Sequence, residues 1–487
     1  MNILAIDLGS SFIKTAIVKF DGDGIKLLSI FKTPTYGIKS GKITSIEDAS
    51  NSIRRAVKGV KESISVNNDK TVVSKSLSVN IDKIVVSISG AYTNSLKGFS
   101  ELTLDTDGAT ITRKDIERAI ENSKISAGIP KEQIPIHVLP YKFKANNTDN
   151  IEDPLDMRAS SFRLEANIIT MNKNDYENIK QILSIADINK YDLVSSIYAN
   201  SLYCLNSDEK ENGVAIIDCG AQVCDIAIYS YNSLIWMNHF PFGSAHITND
   251  IAKFLTITNE AADKIKLQFY AFKNGENNAV DYYKTGSTTK DTVSVDTIAK
   301  CVNSRVDEML ECIYASISDS QYERYVSSVV LTGGCAKFGD ISEKAFPKFN
   351  NKAVRTLINK NKFFIGESEY YTQPEYTCLF GLCMYASGFH TKYELNSNGI
   401  LLVKQKKKDF DIIDNYQSIE NTIKKTDLNN EDNIEIDIKL NDIEENNKNV
   451  KKEIKIEGIK IEKNKIKEKN FFQKAWEYIC ETLERRF

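Results

Sequence analysis

The chain has 487 residues, 41% hydrophobic and 26% charged, the make-up of a globular protein with room for two or more cores and not of a disordered or fibrous chain. Its formal charge of −3 offers no basic field, which argues against nucleic acid as a partner. Nine cysteines, with Cys219/Cys224, Cys301/Cys312 and Cys378/Cys383 among them, fall at spacings unlike a metal pair or a disulfide framework, so buried reduced thiols are expected.

The opening MNILAIDLGSSFIKTAIVKF starts apolar, but Asp7 and Lys14 interrupt it and no small-residue cleavage site follows, so it is not read as a signal peptide. No apolar run approaches the ~18 residues of a membrane-spanning helix. A cytoplasmic protein is expected. The same segment reads as a strand ending in Asp-x-Gly, a tight turn and a return strand. Gly9 tolerates the turn's dihedrals and lets a ligand approach, so backbone N–H groups can point at phosphate oxygens while Asp7 faces the same phosphates. Ser10 and Ser11 add hydroxyl donors, and Lys14 can place positive charge on the β- and γ-phosphates.

Up to about Phe389 apolar β-rich runs alternate with helical-period segments, the pattern of an α/β protein. At Gly213–Tyr231 the chain repeats its first hairpin 211 residues on: Asp218 matches Asp7, Gly220 matches Gly9, and Ala227-Ile228 matches Ala16-Ile17. Chance similarity of two β-hairpins explains the apolar part more easily than the coincident Asp-x-Gly. Two carboxylates facing one triphosphate suit Mg²⁺, a hard cation that keeps its waters, held through water by Asp7 and Asp218. The second turn runs Ala221-Gln222-Val223, where a fully phosphate-adapted turn has more glycine and a hydroxyl; Gln222 adds bulk and Val223 offers no hydrogen bond. This predicts binding more than catalysis.

Asp263 and Lys266, three apart on a predicted helix, share a face, as a solvated ion pair also would. The run Ser327–Asp340 is an apolar strand leading into Gly333-Gly334; paired glycines let a base or ribose lie against the backbone, though Gly-Gly after a strand is also a plain turn. No P-loop or GxGxxG pattern occurs.

From Lys404 to Lys469 Lys, Glu, Asp, Asn and isolated Ile dominate, which predicts a flexible charged linker. A Gaussian chain of about 70 residues spans roughly 45–50 Å. The last segment, Asn470–Phe487, carries Phe472, Trp476, Ile479, Leu483 and Phe487 at helical period, flanked by Phe471 and Ala475, with its charges largely off that stripe. Such a stripe fits a helix docked on the body as well as one lying in a bilayer surface; the long linker and the Trp and Phe favour the membrane.

In order, Asp7–Lys14, Asp218–Asp225 and Val329–Ala336 resemble the phosphate-1, phosphate-2 and adenosine motifs of the superfamily of actin, heat-shock chaperones and hexokinase. Three stretches narrow the resemblance to the FtsA family of cell-division proteins. Ile134–Phe143 followed by Ile151–Thr170 is similar to its HVLP, DPxxM and Arg-Leu-rich segment. Phe240–Ala252 is similar to its GGxxxTxDIA segment, with Ser244 in place of a glycine, and the third stretch is the C-terminal helix. The resemblance implies an actin-like, ribonuclease H-like duplicated α/β fold with an inserted subdomain 1C at 82–166. It places subdomain 1A in 1–81, 167–200 and 375–395, 2A in 201–245 and 326–374, and 2B in 246–325, followed by the linker at 396–469 and the helix at 470–487.

It further implies ATP and Mg²⁺ in the cleft, with Asp263 and Lys266 reaching ribose and adenine. The FtsZ C-terminal peptide would dock on 2B with Arg305, other divisome proteins would bind through 1C, and the chain would form filaments with itself. Attachment would be peripheral, on the cytoplasmic face of the cell membrane at the division site. The chain departs from the family at Gln222 and Val223 and at Ser196, where an acidic residue is common; both departures weigh against ATP hydrolysis more than binding, leaving at most a slow ATPase. Two other readings share the fold. One is a pilus-assembly actin-like ATPase; the other is a small-molecule kinase, for which no general base is found beyond the two magnesium carboxylates.

Overall fold

A computed structural model describes residues 1–66, 79–105, 108–273, 279–338, 340–357 and 360–403; the linker from Lys404 and the helix at 470–487, with Phe471, Phe472, Trp476, Ile479, Leu483 and Phe487, lie outside the described residues. Two sheets share one topology. In the first, Asn2–Leu8 is central, the meander Phe12–Phe20 and Ile25–Pro34 runs antiparallel on one side, and Lys83–Ile88 and Asp192–Ser195 add parallel strands on the other. In the second, Val214–Cys219 takes the central place, Cys224–Ser230 and Ser233–Phe240 form the meander, and Ser328–Thr332 and Ala353–Thr356 are the parallel strands. The central strands are unbroken apolar runs, ILAI and VAII, because helices or the other sheet's supports cover both their faces.

Two helices, Ser196–Cys204 and Thr377–Ala386, are buried on every side, which is why neither shows an amphipathic period. They pack on each other, the first beneath the second sheet and the other beneath the first. Gly381 makes that crossing possible, since a Cβ there would lie 1.8 Å from the Ala199 carbonyl oxygen.

The inserted sheet is separate. Thr93–Thr103, Ser161–Asn172 and Gln133–Ala145 pair antiparallel, and Arg113–Ser126, started by a reciprocal Thr112–Asp115 capping box, covers one face with Ile116, Ala119 and Ile120. Its boundaries differ from the sequence reading of 82–166. Lys83–Ile88 belongs to the first sheet, because it pairs with Asn2–Leu8. At the other end the expected return, 375–395, divides: Thr377–Ala386 packs on the first sheet, whereas Leu395 pairs with Val138 and Leu401–Leu402 pairs with Glu394–Leu395, so only its last residues and the start of the expected linker join the inserted sheet. Above the second sheet stand the helices Ser244–Leu255, Asn259–Lys273 and Val295–Asp319 with the hairpin Ala279–Tyr283/Lys290–Ser294. Of the cysteines described all are free thiols, six of them buried, as the spacing predicts.

Candidate functional site

Both hairpins aim their Asp-led turns at one cleft. In the first, Asp7 and Lys14 are cross-strand partners, with Lys14 Nζ 2.8 Å from Asp7 Oδ2. The Ser87 hydroxyl, on the neighbouring parallel strand, donates to Asp7 Oδ1 at 3.0 Å and accepts from the Leu8 N–H at 2.8 Å, which fixes the carboxylate's rotation. Burial alone would lower the Lys14 pKa; Asp7 outweighs it and holds the ammonium above its ordinary value. The turn itself is braced, since Ser10 Oγ accepts from the Gly41 N–H and the Gly9 carbonyl accepts from Thr35 Oγ1. A Cβ at Gly9 would sit 2.6 Å from the Phe12 carbonyl oxygen, so the tight turn requires glycine.

In the second hairpin the same register sets Asp218 opposite Asp225. Burial, then the charges of Asp225 and Asp7, push the Asp218 carboxyl up to about 7, against the opposing pull of Lys14 and of an Asn200 hydrogen bond. The two hairpins face one space: Lys14 Nζ lies 5.9 Å from the centre of the Tyr376 ring, and the next residue, Thr377, holds the Asn200 that holds Asp218. Asn200 Nδ2 donates to Asp218 Oδ2 at 2.7 Å and is itself held by Thr377, whose hydroxyl donates to Asn200 Oδ1 at 2.5 Å. Asp225 is 5% exposed; its Oδ2 accepts from Ser196 Oγ at 2.6 Å and from the Gly90 N–H at 3.2 Å, while Oδ1 has no hydrogen-bond partner among the described residues. Burial raises its pKa too, with Ser196 and Gly90 opposing.

Gln222, expected in the second phosphate turn as a bulky member, reaches toward the first half: its Oε1 accepts from the Ser40 N–H at 2.6 Å, and Val223 packs beside Gly41. The second turn is therefore tied to the first half. Gly220 and Ala221 present their carbonyls to the N–H groups of Ser244 and Ala245 at the start of the helix Ser244–Leu255.

At the adenosine-type loop only one glycine is sterically required. Gly333 has φ +81°, and a Cβ there would fall 2.2 Å from Asp218 Oδ1, whereas a Cβ on Gly334 would meet open space. Lys266 and Asp263 form a pair, as their spacing predicts, with the lysine buried and the aspartate half exposed: the Lys266 Nζ reaches Asp263 Oδ1 at 2.5 Å and Thr248 Oγ1 at 2.8 Å. It lies close enough to act on the charge of Cys335, in the loop after Gly334. Arg305 stands apart from the cleft residues, gripped by both oxygens of Asp250 at 2.6 and 3.1 Å and by Glu308 at 2.5 Å.

Sequence reasoning missed Ser87, Asn200 and Thr377, which carry no motif, and Asp225, which does carry a signal: it is the repeat's counterpart of Lys14. Among the described residues no cluster of three or more His, Cys, Asp or Glu is arranged to hold a metal ion by itself. The donor set that is present still fits a metal–triphosphate unit. It offers two hard carboxylates on facing loops, an orphaned buried carboxylate oxygen, and a Gly333 cradle that any side chain would fill.

Two halves that share one five-strand topology, to which Phe364–Ile365 adds a sixth, edge strand in the first, and that meet at a cleft of paired Asp-led turns define an actin-like fold. A solved PilM-PilN type IV pilus biogenesis complex contains a chain of this fold, with a TM-score of 0.54 at 12% identity, covering 80% of this chain and 99% of that one. The sequence comparisons are narrower. The family model "Cell division protein FtsA" matches residues 215–381, and that of the "SHS2 domain inserted in FTSA" matches 90–170, the region of the inserted sheet. The cell division protein FtsA of Helicobacter pylori (strain J99) is 31% identical over 421 residues, 82% of this chain and 84% of that protein. That of Bacillus subtilis (strain 168) is 25% identical over 386 residues, 79% of this chain and 83% of that protein. The chain belongs to the FtsA family and is an actin-like cell-division protein.

Proposed function

We propose that the cleft binds ATP with Mg²⁺, that the body assembles with further copies of itself, and that residues 470–487 attach the assembly peripherally to the cytoplasmic face of the cell membrane at the division site, where it tethers filaments of FtsZ. The observation that carries the nucleotide reading is the convergence of Asp7, Lys14 and Asp218 from duplicated hairpins on one space. In it, Asp7 and Asp218 hold the metal through water, the turns at Gly9–Ser11 and Gly220–Gln222 face the phosphates, and Gly333-Gly334 with Asp263 and Lys266 line the nucleoside. The bound metal supplies neutralisation of phosphate charge. Lys14 contributes to the phosphates by exchanging Asp7 for them, and Ser196 puts a neutral donor where an acidic residue is common, which supports hydrolysis that is slow at most. Calorimetric titration of the full chain with ATP, with magnesium and then with chelator, tests this: uptake that falls tenfold or more on chelation is expected, and no uptake in either condition sinks it.

The FtsZ C-terminal peptide would dock on the region 246–325. Arg305 contributes there by trading its two-point pair with Asp250 for a peptide carboxylate, so Asp250→Asn is expected to tighten peptide binding and Arg305→Ala to weaken it. The inserted sheet is left for other divisome proteins. One amphipathic helix with three glutamates binds a bilayer weakly, so attachment depends on many tails carried by one filament. Filaments are therefore expected to pellet with liposomes and monomers to stay in solution, and removal of residues 470–487 should abolish pelleting; equal pelleting of monomers and filaments would refute the coupling. Membership of the FtsA family favours this over the pilus reading, with which the chain shares the fold.

A further inference from the structure

The helix Ser196–Cys204 is a two-sided part. Ser196 and Asn200, one turn apart and so on one face, hold Asp225 and Asp218 from behind. Tyr198 points the other way. It is 1% exposed, its hydroxyl donates to Glu394 Oε2 at 2.7 Å, and it accepts the Thr391 N–H at 2.8 Å. Glu394 comes from the very end of the described body and is fully buried.

That carboxylate has two further donors, the Tyr385 hydroxyl at 2.9 Å and His137 Nδ1 at 2.7 Å. The Ser195 N–H donates to His137 Nε2 at 3.2 Å, so that ring nitrogen accepts and the proton on Nδ1 is the one given to Glu394. Ser195 immediately precedes the helix. Farther along, the Leu193 N–H donates to Ser397 Oγ at 2.9 Å, and Asn398 Nδ2 donates to Asp192 Oδ1 at 2.6 Å. The last stretch of the body thus fixes the strand that leads into the helix, the backbone at the helix start and the middle of the helix itself. Buried acceptors cannot give up a donor cheaply, so such a network has a discrete arrangement and resists gradual drift.

We infer that Glu394, His137 and Tyr198 are positioning residues for the nucleotide site: by setting the placement of the helix Ser196–Cys204 they set Asp218 and Asp225. The inference rests on the reading of the cleft as an ATP site. Coupling of this kind is reciprocal, so nucleotide in the cleft tightens the segment 391–398.

The test uses the full chain and three conservative variants, with Mg–ATP affinity by calorimetry and thermal unfolding measured side by side. Tyr198→Phe keeps the ring and removes the link between helix and carboxylate; it should weaken Mg–ATP binding about three- to tenfold. Tyr385→Phe removes an equal donor from Glu394 but none from the helix, so it should lower stability comparably and leave affinity within twofold of the unaltered chain. Glu394→Gln should weaken binding at least as much as Tyr198→Phe. Hydrogen exchange of peptides spanning 391–398 should slow on addition of Mg–ATP in the unaltered chain and not in Tyr198→Phe. Equal affinity for Tyr198→Phe and the unaltered chain, or losses for Tyr198→Phe and Tyr385→Phe that merely follow their stabilities, overturns the inference while leaving the ATP site standing. Absence of ATP uptake by the unaltered chain overturns the ATP reading itself, and this inference with it.

Discussion

The two hairpins of the cleft are built on one plan and charged in opposite ways. Across the first, Asp7 faces a lysine; across the second, in the same register, Asp218 faces another aspartate. The first pair neutralises itself. The second is a buried like-charge pair kept in place by neutral donors, Asn200 on one carboxylate and Ser196 with the Gly90 N–H on the other. The two hairpins therefore share the backbone device, while the second lacks the positive charge that Lys14 gives the first.

The largest expected effect comes from unbalancing the neutral pair. Asp7→Ala leaves Lys14 buried without its counter-charge and should cost about 3–5 kcal/mol of stability, measured by chemical denaturation; a loss below about 1 kcal/mol would mean the two loops are not electrostatically distinct. Next, Gly333→Ala presses a Cβ onto Asp218 Oδ1 at a backbone angle, φ +81°, that other residues avoid. A cost of about 1–3 kcal/mol is expected from the backbone alone, together with loss of nucleotide uptake.

The third prediction concerns acidity. Because Asp218 ionises near 7 in the folded protein against an ordinary 3.8, the folded chain retains a proton that the unfolded chain has already released at intermediate pH. The unfolded state then binds fewer protons, so stability should fall as pH rises from about 4 to about 7 and level off above. Metal–nucleotide uptake should run the other way, improving as the carboxyl ionises. Asp218→Asn should flatten the stability slope, read from urea midpoints at several pH values; an unchanged slope would assign the effect elsewhere. The smallest effect belongs to the strut between halves: Gln222→Ala removes one hydrogen bond to Ser40 and should cost about 0.5–1.5 kcal/mol, with no change in the pH slope.

How much of this was legible in advance depends on whether the physics was local. The hairpins were, because Asp-x-Gly between apolar strands is a short-range signal, and both turns meet as their repetition predicts. The paired-glycine signal does not tell Gly333, whose φ of +81° and closeness to Asp218 need glycine, from Gly334, where a Cβ would meet open space. The burial of Lys266 was not legible, because i,i+3 spacing with Asp263 fixes a shared face but not what covers it. The bond from Gln222 to the first half was not, because its partner is the backbone of Ser40, 182 residues away, and a main-chain N–H leaves no mark in sequence. The same holds for Asn200 and Thr377. The inserted subdomain was expected from the family resemblance, and the structure's sheet boundaries differ from it for a common reason: the sheet that Lys83–Ile88 and Glu394–Leu395 join is chosen by distant partners.

The pairing of Leu395 with Val138 also bears on biogenesis. A ribosome making about 5–20 residues per second needs roughly 13–50 s between the two. During that interval the strand Gln133–Ala145 has an open edge, an invitation to pair with a neighbouring nascent chain. Completion of the insert is thus deferred until the body is nearly finished, and slow translation or crowded polysomes should raise misassembly in this sheet before any other.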